Sequence, residues 1–283
     1  MAVLGLGAAT GATAHGYMYA RRHIEVTRSV MPVSGLPLSL AGLRIGFLSD
    51  LHRSTTVPHE LVEDAVRLVL AERPDLIVLG GDYVTWGDRG YVEPAAEALG
   101  KLTAPHGVFA VLGNHDDDRD MPAALIARGF TVLRDQRTQV TIRGERVDFA
   151  GIRFWTRRVV EIASVIKGAS PNVILLAHNP RRFEEAAALS VPVVLSGHTH
   201  GGQIVLPGIG PVAGRDFPVV AGHARRENTA IFVTRGVGTV WVPVRINCPP
   251  EVAILTLRPH VHDEAMIVDA PLEMISHSQQ FRA

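Results

Sequence analysis

The chain has 283 residues, 47% of them hydrophobic, which is enough to bury a substantial core and argues against disorder over most of its length. Its 28 basic and 28 acidic residues cancel, so it lacks the positive excess of proteins that bind nucleic acid through phosphates, and we expect no nucleic-acid partner. The single cysteine, Cys248, excludes an intramolecular disulfide and a thiolate-rich metal site. Basic residues are nearly all Arg, and Ala, Gly and Val are abundant, which indicates a GC-rich bacterial genome.

The first 20 residues carry no formal charge and are followed by Arg21-Arg22. This pattern predicts that residues 1–29 form a membrane-associated or leader segment ending at a basic anchor. The alternative is a frayed leader helix rich in Ala and Gly, since the apolarity of the run is moderate and no basic region precedes it. We therefore expect a bacterial protein at the membrane, or otherwise in the cytoplasm. Residues 30–258 form the expected main domain, and residues 259–283 a polar tail.

Three short apolar runs in the first half of the chain each end directly in a polar cluster, as buried strands of a layered α/β fold do. These runs are Leu43–Ser49, Leu76–Leu79 and Val108–Leu112. Between the first two, residues 58–72 place apolar side chains at three- and four-residue steps, which predicts an amphipathic helix. The clusters recur every 32 positions, about the size of one βαβ unit, so we expect three neighbouring parallel strands whose carboxyl ends share one edge.

The second half predicts another sheet. Residues 138–143 and 147–152 alternate around Gly144-Glu145 like a hairpin, and four later apolar runs are strand candidates: residues 172–177, 193–196, 230–234 and 252–257. Residues 121–128, 158–167 and 181–189 are candidate covering helices. The predicted fold is α/β: a four-layer α/β/β/α sandwich with two mixed sheets packed face to face, helices outside, and a metal site at the carboxyl edge of the strands.

Five polar clusters follow the predicted strands and together carry two Asp, one Asn and four His donors. They are Asp50-Leu51-His52, Gly81-Asp82, Gly113-Asn114-His115-Asp116, His178, and Gly197-His198-Thr199-His200. Taken singly, most have an ordinary structural explanation, such as a surface loop, a turn aspartate or a helix-capping histidine. The glycine-bracketed histidine pair is the most specific, because the backbone there is able to curl around an ion. Their joint occurrence predicts two metal ions that share one carboxylate, and hence binuclear hydrolysis.

In this ordered pattern the chain resembles the calcineurin-like metallophosphoesterases over roughly residues 24–258. It is most similar to a bacterial, often membrane-associated branch at three segments: residues 49–52, residues 197–203, and residues 236–251. Some members of that branch are assigned as UDP-2,3-diacylglucosamine pyrophosphate hydrolases. The resemblance implies a metallophosphoesterase with two divalent ions, Mn, Zn or Fe, that cleaves a phosphodiester or pyrophosphate by in-line attack of a metal-bridging hydroxide.

Matching motif by motif, the resemblance implies two ligand sets. Asp50, His52 and His200 would hold one metal; Asn114, His178 and His198 would hold the other; Asp82 would bridge both. His115 would be the proton donor or phosphate contact, oriented by Asp116, and in its protonated form would stabilise the leaving oxygen.

Three further features bear on the substrate. Arg53 is a candidate phosphate contact, or equally a solvated surface arginine. Where many relatives have a Gly-X-Asp-Asp turn, this chain has Gly151-Ile152-Arg153-Phe154-Trp155, so Arg153 or Trp155 is expected to face the cleft. The apolar run Ile204–Ile209 either meets an acyl chain or membrane, or packs inside as a strand.

The sequence thus predicts a phosphoester substrate that is lipid-linked or part of the cell envelope, and association with the membrane through the N-terminus. The alternative is a non-catalytic, metal-stabilised binding or regulatory protein on a retired hydrolase fold. Retirement normally removes a ligand or the Asn-His pair, and this chain retains both.

Overall fold

The computed structural model describes residue 11 and residues 13–260. Residues 261–283 of the expected polar tail and residues 1–10 and 12 of the expected leader lie outside this range. Within it, no helix combines the length and the apolarity needed to cross a bilayer. The expected domain boundaries stay predictions, and strand β1 (Glu25–Val33) runs across the one at residue 30.

The first sheet has six strands in the order β1-β14-β2-β3-β4-β5. Its other strands are β2 (Arg44–Leu48), β3 (Leu76–Leu79), β4 (Val108–Ala110), β5 (Thr131–Val132) and β14 (Glu251–Pro259). Strands β2 to β5 are parallel, whereas β14 pairs antiparallel with β2 and parallel with β1. The three neighbouring parallel strands expected from the 32-residue spacing are therefore confirmed.

The second sheet also has six strands, in the order β12-β13-β9-β8-β7-β6. They are β6 (Gln136–Ile142), β7 (Glu145–Gly151), β8 (Val173–Leu176), β9 (Val193–Ser196), β12 (Gly222–Arg226) and β13 (Thr229–Val233). The expected hairpin is the antiparallel pair β6 and β7. A separate two-stranded ribbon, β10 (Val205–Leu206) with β11 (Gly210–Pro211), projects from the loop after β9.

The two sheets pack face to face through a continuous core of buried side chains from both. Phe109 on β4 stacks on Phe149 on β7 with ring centroids 3.9 Å apart, and Phe47 on β2 meets Phe232 on β13 edge to face. Burial of these four aromatic rings adds to the apolar surface that holds the two sheets together.

Helices cover the outer faces of both sheets. Helices α1 (His59–Ala71), α2 (Val92–Leu99) and α3 (Asp120–Ala127) pack on the first sheet. Helices α4 (Val159–Ile166) and α5 (Phe183–Ala188) pack on the second. The α/β/β/α sandwich with two mixed sheets is confirmed. Helix α2 was not expected from the sequence; its buried face includes Val92, Ala95, Ala96 and Leu99 at helical spacing.

Candidate metal centre

The five clusters lie at one edge of the two packed sheets, directly after the strands. Asp50 follows β2, Asp82 follows β3, Asn114 follows β4, His178 follows β8, and His198 follows β9. Since β2, β3 and β4 are parallel neighbours, as are β8 and β9, their carboxyl ends bring residues from distant parts of the chain together.

The backbone is strained at these positions. A positive φ, uncommon for any residue with a side chain, occurs at five of the candidate ligands: Asp50, His52, Asp82, His198 and His200, with φ between 49° and 74°. Each such residue costs on the order of 1–3 kcal/mol unless the surrounding structure enforces it, and such outliers concentrate at functional sites. The sharp turns aim successive side chains into the same space between the sheets.

Two glycines permit the tight approach of the loops. A Cβ at Gly113 would lie 2.0 Å from Asp82 Oδ1, and a Cβ at Gly197 would lie 2.2 Å from Ser49 Oγ and 2.3 Å from Asp50 Oδ2. No side chain fits at either position without displacing a carboxylate. The glycines therefore set how closely the loops after β4 and β9 pack against the two aspartates.

Asp50, His52 and His200 form the first donor group, with one ligand atom from each within 4.8 Å of the others. All three are at most 3% exposed. His52 Nε2 lies 3.1 Å from His200 Nε2, and His200 Nε2 lies 3.5 Å from Asp50 Oδ1. The Asp50 carboxylate accepts the backbone N–H of His198 at 2.9 and 3.1 Å, which fixes its plane.

Asp82, His178 and His198 form the second donor group, again within 4.8 Å of one another. His178 Nδ1 is fixed at 2.7 Å from the carbonyl oxygen of Gly80, which leaves Nε2 facing Asp82 Oδ2 at 3.2 Å. Asp82 Oδ2 is also 3.5 Å from His52 Nε2, in the first group. One carboxylate oxygen therefore lies between the two donor groups.

Among the buried side-chain atoms without a hydrogen-bond partner in the described part of the chain, three belong to candidate ligands: Asn114 Oδ1, His178 Nε2 and His200 Nδ1. Buried polar atoms are almost always satisfied, so each requires an explanation. His52 Nε2 and His200 Nε2 also face each other at 3.1 Å. Ligation of one cation by both nitrogens explains this approach better than a hydrogen bond between the two rings does. Oxygen and nitrogen donors of this kind fit two divalent cations of the Mn, Fe or Zn type.

Burial sets the charge states of the donors. It lowers the pKa of His52 to about 4 and that of His198 to about 3, so both rings are neutral at pH 7, as metal ligation requires. Burial alone would also lower the pKa of His178, but the Asp82 carboxylate outweighs it and raises this pKa to about 10. Burial raises the pKa of Asp50 to about 6. The Asp82 carboxylate that raises this pKa is the group whose charge a bound cation would offset instead.

His115 lies at the edge of the donor groups, 7% exposed, with its ring 4.9 Å from that of His52. Its backbone N–H donates to Asp82 Oδ1 at 2.8 Å, and its Nδ1 accepts the backbone N–H of Trp86 at 3.1 Å. Burial lowers the pKa of His115. An Nδ1 lone pair that accepts the Trp86 N–H places the proton of the ring on Nε2, which differs from the protonated ring expected from the sequence.

Asp116 was expected to orient His115, but its carboxylate has other partners. Its carboxylate accepts the backbone N–H groups of Asp82, Tyr83 and Gly113 at 2.7 to 2.8 Å, and that of Val84 at 3.3 Å. It therefore fixes the turn that carries Asp82, whereas the orientation of the His115 ring comes from Trp86.

Arg53 faces its own loop. Its Nη1 donates to the carbonyl oxygens of Ser54 and, at 2.9 Å, Val57, and its guanidinium lies 4.9 Å from the centre of the Tyr91 ring. These contacts brace the segment before α1, and a contact with substrate stays a prediction.

The loop after β7 brings Phe154 against a candidate metal ligand. Arg153 turns away to Asp135, with Nε 3.5 Å from Oδ2, and Trp155 is 66% exposed. Phe154 packs instead against His198, with ring centroids 5.1 Å apart, and Phe217 flanks the same histidine at 5.3 Å. Phe154, rather than Arg153 or Trp155, therefore contacts a candidate ligand, and the expectation that Trp155 faces the cleft stays a prediction. Sequence gave no sign of Phe217, which follows a loop without periodicity.

Arg245, which we did not single out, is fully buried behind the first donor group. Its guanidinium donates to the carbonyl oxygens of Arg235, Gly236 and Gly238 at 2.6 to 3.1 Å, and more weakly to that of His200 at 3.4 Å. Gly238 in turn donates its N–H to the carbonyl oxygen of Asp50 at 2.7 Å. Arg245 therefore stabilises the loop that holds Asp50 in place.

Comparison with known proteins agrees with this geometry. Residues 43–202 match the family model described as calcineurin-like phosphoesterase. The chain is 34% identical over 227 residues to the phosphodiesterase YaeI of Escherichia coli (strain K12), covering 77% of this chain and 83% of that protein. It is 31% identical over 267 residues to the uncharacterized metallophosphoesterase YkuE of Bacillus subtilis (strain 168), covering 90% and 93%.

Among solved structures, a dimetal phosphatase from Danio rerio superposes with a TM-score of 0.42 at 12% identity, over 70% of this chain and 88% of that one. The family match over more than half of the chain, the relatives and the two donor groups lead to one conclusion. The chain belongs to the calcineurin-like phosphoesterase family and is a metal-dependent hydrolase that uses two divalent ions.

Proposed function

We propose that this enzyme hydrolyses a phosphodiester or pyrophosphate bond at the site between β2, β3, β4, β8 and β9. In this proposal Asp50, His52 and His200 hold one cation, Asn114, His178 and His198 hold the other, and Asp82 bridges them. The observation that carries it is the position of Asp82 Oδ2, within 3.5 Å of one histidine from each donor group. The unpartnered Oδ1 of Asn114 supports its place as a ligand.

Cations held by these residues would supply Lewis acidity, which would make water a nucleophile near neutral pH and offset the charge of the phosphoryl oxygens. The protein's own residues do the rest. Neutral His115, with Nδ1 occupied by the Trp86 N–H, offers an Nε2–H that donates to a phosphoryl or leaving oxygen. Asp116 and Arg245 keep the loops of Asp82 and Asp50 rigid, so that no reorganisation is required during reaction.

The similarity to a relative named a phosphodiesterase supports phosphodiesters over phosphomonoesters as substrates. A lipid-linked or envelope substrate such as UDP-2,3-diacylglucosamine is the finer proposal, and with it a location at the bacterial membrane. Its support is the ribbon after the histidine loop: Ile209 is 62% exposed, Val212 is 54% exposed, and Leu206 is half-buried. The expected packing of this run inside the protein does not hold for Ile209.

The experiment is hydrolysis of bis-para-nitrophenyl phosphate against para-nitrophenyl phosphate, after chelation and after reconstitution with Mn or Zn. The proposal predicts metal-dependent turnover that favours the diester. Absence of turnover of both esters under every metal would contradict it and favour a binding protein. Depletion of one phospholipid or sugar-nucleotide lipid from a bacterial lipid extract would then identify the substrate.

The lipid proposal has its own test. Replacing Leu206 and Ile209 with Ser should lower the rate on an acylated substrate in detergent micelles more than the rate on the small aryl diester. The matched control is Val160→Ser on α4, an equally exposed apolar residue on another element. Equal losses on both substrates would remove the lipid role.

A further inference from the structure

Two tryptophans stand together at the mouth of the site. Trp86, from the loop after β3, and Trp241, from the loop before β14, meet edge to face with ring centroids 4.7 Å apart. They are 61% and 81% exposed, respectively. Two large aromatic rings that stay in solvent forgo the stabilisation that burial of their apolar surface would provide. Their exposure therefore requires an explanation.

The pair is connected to the catalytic machinery on one side. The Trp86 ring packs on the His115 ring with centroids 4.3 Å apart, and the Trp86 N–H is the group that occupies His115 Nδ1. The next residue, Gly87, donates its N–H to the carbonyl oxygen of His115 at 2.8 Å. Trp86 and His115 therefore keep a fixed relative position.

On the other side, Trp241 is held against the histidine loop. Gln203, 7% exposed, donates from Nε2 to the carbonyl oxygen of Val242 at 2.7 Å and accepts the N–H of Val240 at 3.0 Å. The Gln203 N–H donates to the carbonyl oxygen of His200 at 3.0 Å. The loop that carries Trp241 is thus fixed relative to a candidate metal ligand, unlike a freely moving surface loop.

Both tryptophans also have left-handed backbone, with φ of 55° at Trp86 and 63° at Trp241. For a bulky residue this is a genuine outlier that the surrounding contacts must enforce. The strained backbone at these two positions, 155 residues apart in sequence, brings both indole rings together at the mouth of the site. Their exposure, fixed position and strain together are the properties of a preformed stacking surface.

We propose that Trp86 and Trp241 form a stacking site for a planar ring carried by the leaving group of the substrate. This inference rests on the proposed function, in which His115 Nε2–H faces the leaving oxygen, so a ring a few atoms beyond that oxygen lies beside Trp86. A nucleobase and a simple aryl group share this chemistry. Stacking on an aromatic side chain is sequence-tolerant and is worth roughly tenfold in affinity per ring.

Binding of matched ligands to the Mn-loaded enzyme tests the site without requiring turnover. Calorimetry should give uridine 5′-monophosphate an affinity roughly tenfold above that of ribose 5-phosphate, which lacks the ring. Trp241→Leu should remove this difference, and Trp241→Phe should restore most of it. Phenyl phosphate distinguishes a site for any aryl group from a site for a nucleobase. If it binds with an affinity near that of the nucleotide, the site accepts any aryl group. If its affinity is near that of the sugar phosphate, the site is specific for a nucleobase.

Trp155→Leu is the matched control, since Trp155 is similarly exposed but already packs with Phe154 and Arg157. It should keep the nucleotide preference within twofold. An unchanged preference in Trp241→Leu, or an equal loss in Trp155→Leu, would overturn the stacking site.

Turnover supplies the second measurement. The ratio of kcat/KM for a uridine-bearing diester to that for ring-free glycerophosphocholine should fall roughly tenfold in Trp241→Leu. If Trp241→Leu instead lowers turnover of both in the same proportion, and only on vesicles of anionic phospholipid, Trp241 contacts the membrane and the stacking site is refuted. A wild-type enzyme that binds the nucleotide through Trp241 but cleaves no diester would contradict the proposed function while leaving the stacking site intact.

Discussion

Gly197→Ala should disable one donor group while leaving the fold intact. The added Cβ would lie 2.3 Å from Asp50 Oδ2 and 2.2 Å from Ser49 Oγ, whereas real Cβ atoms essentially never approach closer than 3.0 Å. Either the Asp50 carboxylate or the loop after β9 must therefore move by at least about 0.7 Å. Gly197 has no positive φ that alanine would be unable to adopt, so the effect is confined to this contact.

A displacement of this size at a positioned catalytic group costs about 100-fold in rate. We expect kcat/KM for bis-para-nitrophenyl phosphate to fall by about this factor, with weaker binding at the group of Asp50, His52 and His200. Equilibrium dialysis followed by elemental analysis, over a series of free Mn concentrations, measures the affinity of each site.

Gly46→Ala is the matched control. Its Cβ would lie 2.6 Å from Val69 Cγ2, so it crowds the packing of β2 against α1 instead of the donors. It should lower the thermal midpoint yet keep both metal affinities. Wild-type metal affinity and rate in Gly197→Ala would refute the close packing of this loop on Asp50.

Three other outcomes follow from the geometry. His115→Ala should retain both metals yet lose about 10³-fold in kcat, because only a hydrogen-bond donor is removed; loss of metal would make His115 a ligand. Phe149→Ala, which empties the stack on Phe109 between the sheets, should lower the free energy of unfolding in urea by about 4 kcal/mol, and a loss under 1 kcal/mol would contradict the face-to-face core. Asp148→Asn should lower the free energy of unfolding in urea by about 3 kcal/mol at pH 7. Burial alone raises the pKa of Asp148, but hydrogen bonds from Ser170 and Arg137 lower it below its usual value. This stabilisation is present above the unfolded pKa of about 4 and is lost as pH falls through the lowered folded pKa, so the mutational difference should shrink toward pH 3. A difference independent of pH would contradict it.

The layered fold and the place of the donors were predictable because strand periodicity and strand ends are local properties of sequence. The run Leu76–Leu79 ending before Asp82 needs only neighbouring residues to be recognised as a buried strand. The equal spacing of the first three clusters then predicted that they lie at the same edge of one sheet. Strand β1 was missed, since Glu25–Val33 mixes charged and apolar residues at the edge of its sheet.

The walls of the site were less predictable, because they come from irregular loops whose side-chain directions depend on tertiary contacts. Phe154 rather than Trp155 faces His198 because Asp135 holds Arg153 on the outside. Arg245 lay in a segment matched to the family, but only the structure shows five backbone carbonyls from three segments around it. Trp241 had no periodic context at all. Such residues become apparent only once distant loops are placed together.

The central claim is that two cations lie side by side with Asp82 between them. A crystal of the Mn-reconstituted protein, measured for anomalous scattering, tests it directly. We expect two peaks, one beside Asp50, His52 and His200 and one beside Asp82, His178 and His198, both within ligand distance of the Asp82 carboxylate. A single peak, or peaks away from Asp82 in a protein that hydrolyses the diester, would contradict it.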